Sequence, residues 1–454
     1  MQTFFSLQAL ADPDMAEAEK ILRACVHCGF CTATCPTYLL TGDELDGPRG
    51  RIYLIKDMFE KERPADAHTA RHIDRCLSCL SCMTTCPSSV HFMHLVDHAR
   101  AHIEQTFARP FAERVKRAAL AFVLPRPALA RQLLRLAAAL RPLAGFLPRR
   151  VAAALALAPE RTPPASSVDS PQVFAAQGER KMRVALLSGC VQTVLDTSIN
   201  EATIRLLTRH GVEVVVAEGA GCCGALPHHL GKVDDSRRHA RANIEAWSRE
   251  IDSAGLDHIV VNASGCGTSV KDYGHMFRND PTLADRAAQI SSIAKDVTEL
   301  LQEVGFKPLG DAPKLRVAYH AACSLQHGQK ISEEPVSLLQ AAGFDVGTVP
   351  EGHICCGSAG TYNVLQPEFA DELRARKLAN IESVAPDIVA AGNIGCIIQI
   401  RSGTSTPVVH TVELLDWASG GPKPPAAQKS DMIHGGGHGD ATAGYIGCKA
   451  CGRA

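Results

Sequence analysis

Two groups of cysteines repeat one pattern: Cys25-x2-Cys28-x2-Cys31-x3-Cys35-Pro36 returns as Cys76-x2-Cys79-x2-Cys82-x3-Cys86-Pro87. Two-residue gaps let a tight loop wrap a small inorganic cluster, so that three thiolates each reach a different iron of a [4Fe-4S] cubane. The fourth iron needs a sulfur from elsewhere, and in paired runs the cysteine before the proline supplies it to the other cluster. The spacing therefore assigns Cys25, Cys28, Cys31 and Cys86 to one cluster and Cys76, Cys79, Cys82 and Cys35 to the second. Gly29, Thr32, Ala33, Thr34, Ser78, Ser81, Thr84 and Thr85 are small enough to let backbone N–H groups approach the sulfurs. Such hydrogen bonds stabilise the reduced cluster and raise its potential. Arg49, Arg51 and Arg75 are placed to offset cluster charge. Zinc also accepts four cysteines but usually takes two separated CxxC pairs. With four thiolates available per cluster, His27 and His72 are expected beside the ligands and not among them.

A second set of cysteines lies further along. Cys190, Cys222-Cys223-Gly224 and Cys266 are matched by Cys323, Cys355-Cys356-Gly357 and Cys396. From first cysteine to pair the interval is the same in both, since 222 minus 190 and 355 minus 323 are each 32. Gly224 and Gly357 let the chain turn after two adjacent side chains are aimed inward. These residues are candidates for one or two further metal or redox sites. The bland alternative is a set of buried, unmetallated thiols.

The elements that must position these groups follow from hydrophobic period. Residues 1–110 read as helical, with apolar positions at helical spacing in Ile21 to Val26 and Ile52 to Phe59. Residues 111–182 read as a connector and linker: Pro125, Pro127, Pro142 and Pro148 break short amphipathic helices, and Pro159 to Lys181 has linker composition. Arg114, Lys116, Arg117, Arg126, Arg131, Arg135 and Arg141 suggest one basic face, for anionic lipid, a partner or solvent. Beyond it, Val184 to Leu187, Val212 to Val216 and His258 to Val261 read as strands alternating with helices. The order returns in Val317 to Tyr319, Phe344 to Val349 and Asp387 to Ala390, so 183–310 and 311–419 are expected to be two α/β repeats with parallel sheets. Each first cysteine, cysteine pair and last cysteine then follows a strand, at the end where such sheets bind ligands. Residues 420–454, rich in Gly, Pro and Ala, read as a disordered tail, although His434, His438, Cys448 and Cys451 within it are metal-binding types.

Composition removes several classes of function. A formal net charge of -1 gives no reason to invoke nucleic acid. Eighteen cysteines are about four per cent of the chain, below the level of a disulfide-stapled secreted domain. Met1 to Leu10 lacks the basic start and apolar run of a secretory signal, which points to a reducing cytoplasm where thiols serve as metal ligands. No stretch reaches the apolar length of a spanning helix, so membrane contact would be peripheral. No GxGxxG follows a strand and opens a helix, so the sequence offers no dinucleotide-binding signature.

The cysteine pairs resemble the cysteine-rich CCG domain of heterodisulfide reductases, of succinate:quinone reductase relatives and of the iron-sulfur subunits of glycolate, lactate and anaerobic glycerol-3-phosphate dehydrogenases. Where the heterodisulfide reductase version carries a final CxxC, this chain has Ser269 and Gln399. Each half is thus one thiolate short, which argues against a non-cubane cluster and leaves a conventional cluster, a labile cluster or a thiol site open. Over residues 15 to about 418 the order of motifs resembles the iron-sulfur subunit of bacterial glycolate oxidase. The strings that carry this are Ile21 to Tyr38, Gly42 to Lys56, Ala263 to Gly267 and Cys355 to Tyr362. The resemblance implies an N-terminal all-α ferredoxin-like domain followed by two α/β CCG repeats, in complex with two FAD-type flavoprotein subunits. In such a complex FAD oxidises glycolate to glyoxylate, and this chain passes the electrons toward membrane quinone at the inner membrane's cytoplasmic side. Related lactate, glycerol-3-phosphate and heterodisulfide-reductase-like complexes are the alternatives. Thiol turnover at Cys222, Cys223, Cys355 and Cys356, or a zinc-stabilised scaffold, are rival chemistries for the same residues.

Overall fold

The computed structural model describes residues 1–142, 162–309 and 314–428. The tail residues His434, His438, Cys448 and Cys451, and the apolar segment 151–159, lie outside these.

Up to residue 110 the described regular structure is helical. Helix Pro13–Ala24 starts where the Asp12 carboxylate accepts a hydrogen bond from the Asp14 N–H and Pro13 fixes the first turn. Its buried face, Ala18, Ile21 and Leu22, packs with Ile55 and Met58 of helix Pro48–Glu60, Ile73 of Ala67–Asp74 and Leu95, Ala99 and Ile103 of Phe92–Thr106. Three- and four-residue spacings put each set on one helix face.

The stretch Gly42 to Lys56 carries no cysteine, and the fold explains its composition. Asp43 caps a short 3-10 turn, Glu44–Asp46, and Pro48 opens the next helix. Gly50 lies against that turn so closely that a Cβ there would sit 2.1 Å from the Glu44 carbonyl oxygen. Gly50→Ala is therefore expected to destabilise the chain by about 2 kcal/mol or more through overpacking against backbone. Denaturant unfolding of the variant checks this; an unchanged midpoint would refute it.

Each repeat is built on four parallel strands in the same order. In the first, β2 (Met182–Leu186) lies between β3 (Val212–Val216) and β4 (His258–Val261), with β5 (Ala294–Asp296) beyond β4. In the second, β6 (Arg316–His320) lies between β7 (Asp345–Gly347) and β8 (Ile388–Ala391), with β9 (Val408–His410) beyond β8. Central strands are buried on both faces, hence the near-continuous apolar text of Val184 to Leu187 and Ile388 to Ala391. One apolar cluster runs through both halves, joining Val184, Leu186, Val260 and Leu300 to Val317, Leu338, Val389 and Leu415. Polar clamps reinforce it: Asp416, fully buried, accepts from Arg205 at 2.7 Å and Arg209 at 3.0 Å.

Several elements differ from the sequence-based expectation. Part of the stretch read as linker forms β1 (Gln172–Phe174), which pairs antiparallel with β3, so the first sheet is not wholly parallel. β1, β5 and β9 are three residues each, too short to show a period, and β5 and β9 include Lys295, Asp296 and His410. The connector forms helices Phe111–Val123 and Pro127–Leu140. Its cations are not one free face: Arg117 is buried against Asp74 at 2.8 Å, Lys116 donates to the Val364 carbonyl, and Arg131 to that of Thr193. At the start of the tail, Ala427 is buried in the shared core.

The helical domain is seated across both repeats. Tyr362 donates to the Arg75 carbonyl at 3.1 Å, and Lys232 pairs with Glu104 at 2.6 Å. Glu17 meets His275 at 2.6 Å and Arg278 at 2.6 Å, while His94 bonds Asp272 at 3.0 Å and stacks on His275. Burial works to raise the Glu17 pKa, but hydrogen bonds from His275 and His98 and the charge of Arg278 outweigh it and hold the carboxyl at about 2, below its ordinary 4.5. A depressed carboxyl contributes stability above its unfolded pKa and loses it on protonation. Glu17→Gln is thus expected to cost stability at pH 6 and to remove the part lost between pH 4.5 and 2. Acid unfolding curves with equal slopes over that window would contradict this.

Candidate metal centres

The two N-terminal cysteine runs fold alike. In the first, His27 and Gly29 have left-handed backbone at φ 56° and 85°; in the second, Ser78 and Leu80 do so at 50° and 63°. These are the second and fourth residues after Cys25 and Cys76, so each run curls around a point. Non-glycine residues rarely adopt this conformation, and here it turns successive thiols toward one centre. The Ser78 N–H lies 3.5 Å from the Cys76 sulfur.

Cys25, Cys28 and Cys31 line one cavity together with Cys86 and Cys82 from the second run, closed by Pro48, Ile52, Val90 and Phe92. Burial pushes the Cys31 thiol up to about 11, with nearby Cys25 adding to it. Cys79 and Cys82 are raised well above the ordinary thiol value, first by burial and then by neighbouring cysteines, Cys35 among them. Thiols packed this way resist ionisation unless a cation enters among them, which is the donor set an iron-sulfur cluster requires.

Behind Cys35 stands a charged network of Arg51, Arg75 and His72, all expected near the ligands, gathered around Asp46, which sequence reasoning did not single out. Arg51, 1% exposed, donates to the His72 carbonyl at 2.8 Å and to Thr37 Oγ1 at 3.0 Å, and its Nη1 lies 3.8 Å from the Cys35 sulfur. Asp46, fully buried, takes hydrogen bonds from His72 at 2.8 Å and Arg75 at 2.7 Å. His72 is thus committed to Asp46, and His27 rests 3.4 Å from the Met1 sulfur and against the Tyr53 ring. Of the expected arginines, Arg51 reaches a cysteine sulfur, Arg75 acts through Asp46, and Arg49 donates to the His27 carbonyl.

In each repeat the cysteines follow the carboxyl ends of the strands: Cys190 after β2, the pair after β3 and Cys266 after β4, then Cys323 after β6, the pair after β7 and Cys396 after β8. Crossovers from the central strand leave in opposite directions and open a crevice there. Gly224 and Gly357 are left-handed at φ 85° and 89°, and a Cβ on Gly357 would lie 2.6 Å from the Ala370 carbonyl oxygen, so only glycine permits the turn after each pair. In the first repeat, S–H groups of Cys190 and Cys223 hold the Cys222 pKa below the ordinary thiol range. In the second, the Cys323 and Cys355 sulfurs are 3.8 Å apart. Cys79 shares an apolar cluster with Cys355 and Ile354, against which Cys323 also packs. The second N-terminal run therefore abuts the second repeat.

Fold and site together define an iron-sulfur electron carrier: a helical dicluster unit joined to a duplicated cysteine-rich α/β unit. Residues 21–90 match the 4Fe-4S dicluster domain, and residues 184–271 and 317–401 each match the cysteine-rich domain. The chain is 44% identical to the glycolate oxidase iron-sulfur subunit of Escherichia coli (strain K12) over 92% of its length and 99% of that protein. It is 31% identical to the probable glycolate oxidase iron-sulfur subunit of Bacillus subtilis (strain 168) over 88% of its length and 95% of that protein. Lactate utilization protein A of Bacillus licheniformis is 28% identical over 52% of this chain. This chain belongs to the family of glycolate oxidase iron-sulfur subunits, and its cofactors are iron-sulfur clusters.

Proposed function

We propose that this chain carries electrons from FAD on two flavoprotein subunits, where glycolate is oxidised to glyoxylate, toward membrane quinone. The observation that carries this reading is a line of sulfur through the molecule. Cys28 is exposed and flanked by exposed Val26, Phe30 and Tyr53, an apolar rim suited to a partner subunit. Cys25, Cys28, Cys31 and Cys86 would hold the first cluster beside that rim, and Cys76, Cys79, Cys82 and Cys35 the second, with Cys82 bordering both sites. Cys79 then lies against Cys323 and Cys355 of the second repeat.

Cubanes held by these cysteines would supply one-electron steps and so divide the pair that a flavin yields, while the substrate chemistry would stay with the partner's cofactor. What this chain's residues do is hold, insulate and tune. Arg51 brings positive charge to Cys35, and burial keeps water from the second site. Among the described residues no helix is long and apolar enough to cross a membrane, so delivery to quinone is proposed to occur through peripheral contact at the cytoplasmic side.

The test uses the chain purified anaerobically with its flavoprotein partners. Glycolate is expected to bleach the flavin and then the broad visible absorbance of the clusters. Bleaching by lactate and not by glycolate would transfer the assignment to lactate oxidation, the activity suggested by the lactate utilization relatives. Stoichiometric zinc with almost no iron would refute electron transfer altogether.

A further inference from the structure

His320 closes β6 three residues before Cys323. It is 2% exposed, and neither of its ring nitrogens has a hydrogen-bond partner. Leaving a buried polar group without a partner is costly, so an imidazole with both nitrogens unmet in such a place calls for one. One of its ring nitrogens, the Cys356 sulfur and the Cys396 sulfur all lie within 4.8 Å of one another. Cys323 and Cys355 bring two more sulfurs to the same end of the sheet. The Lys377 side chain, 1% exposed and anchored on the Glu351 carbonyl at 2.9 Å, brings an amine close enough to interact with Cys355, Cys356 and Cys396, although burial lowers its pKa.

The other side chains nearby do not compete for the role. Gln399 donates to the Ala370 carbonyl at 3.1 Å and accepts from Asn363 at 3.1 Å, so it is committed elsewhere. In the first repeat, the residue three before Cys190 is Leu187, which packs in the apolar core. The two halves therefore share a cysteine plan and differ by one nitrogen donor at matching positions.

We propose that His320 is a nitrogen ligand of an iron-sulfur centre in the second repeat, acting with Cys356 and Cys396 and the Cys323–Cys355 pair. This deepens the electron-transfer reading and rests on it. Imidazole and thiolate together suit iron and zinc, and the contact of Cys323 and Cys355 with Cys79 favours iron, since a redox centre there continues the line of sulfur. Replacing a thiolate by a neutral imidazole makes a centre less negative and raises its potential. The second repeat would then be the most oxidising station in the chain, drawing electrons from the two all-cysteine clusters.

The test is pulsed electron paramagnetic resonance on the full chain, prepared anaerobically with natural-abundance and with ¹⁵N-labelled histidine. A third paramagnetic centre is expected, with a nitrogen coupling that changes isotope with the label. His320→Ala should lower occupancy of that centre about tenfold or more. His320→Cys should keep the centre, lose the nitrogen coupling and lower its potential. In both variants the two N-terminal signals should persist, which reports that the chain is folded. A third centre without histidine coupling, zinc in the second repeat, or N-terminal signals with no third centre would each overturn the ligand assignment while leaving electron transfer intact. Loss of every iron signal in the unmodified chain would sink both.

Discussion

Cys86→Ser is expected to abolish the same paramagnetic signal that Cys25→Ser abolishes, and to leave the signal that depends on Cys76. The reason is spatial: Cys86 belongs in sequence to the second run but lines the cavity of the first, with Cys25, Cys28 and Cys31. The converse is expected of Cys35→Ser, because Cys35 acts on Cys79 and Cys82 and lies with Cys76 around Arg51. Each variant should lose about four iron atoms per chain, one cubane's worth. Iron analysis beside low-temperature spectra of the four variants decides it. If Cys86→Ser matched Cys76→Ser, each run would ligate its own cluster.

Arg51→Met should have the largest effect of any substitution that touches no cysteine. Burial opposes the Arg51 charge, and Cys76, Cys35 and Asp46 hold it in place. The side chain also ties His72 to Thr37. Removing one member of a buried charged network costs about 3–5 kcal/mol, because the partners stay buried without compensation. The second cluster's potential should fall as well, since a nearby positive charge favours the reduced, more negative state. Arg51→Lys should recover part of the potential and less of the stability, as an ammonium lacks the planar fork that reaches three partners. Anaerobic unfolding and a redox titration measure the two effects separately; a variant unchanged in both would show that Arg51 is only packing.

The cysteine spacing makes the metal chemistry legible, because three of a cubane's four ligands sit close together in the chain and one type of side chain serves. Long apolar strands such as Val212 to Val216 were equally plain. What escaped depended on partners distant in sequence. β1 is a strand only because β3 offers an edge, and β9 only because β8 does. Nothing in the sequence marks Asp46, which is buried because His72, Arg75 and Arg51, brought in by the fold, close on it. His320 lies outside the cysteine plan that marks the repeats, three residues before the first cysteine, where the first repeat has Leu187.

The apolar interior common to both repeats has a consequence for how this architecture diversifies. Halves that arose alike but bury one continuous surface must melt together, in a single cooperative transition, even if only one of them binds a cofactor. Either half can then differ in the side chains that end its strands, as it does where His320 stands against Leu187, while the shared interior stays the same. Duplication here supplies tolerance, leaving one copy free to change its chemistry without having to fold alone.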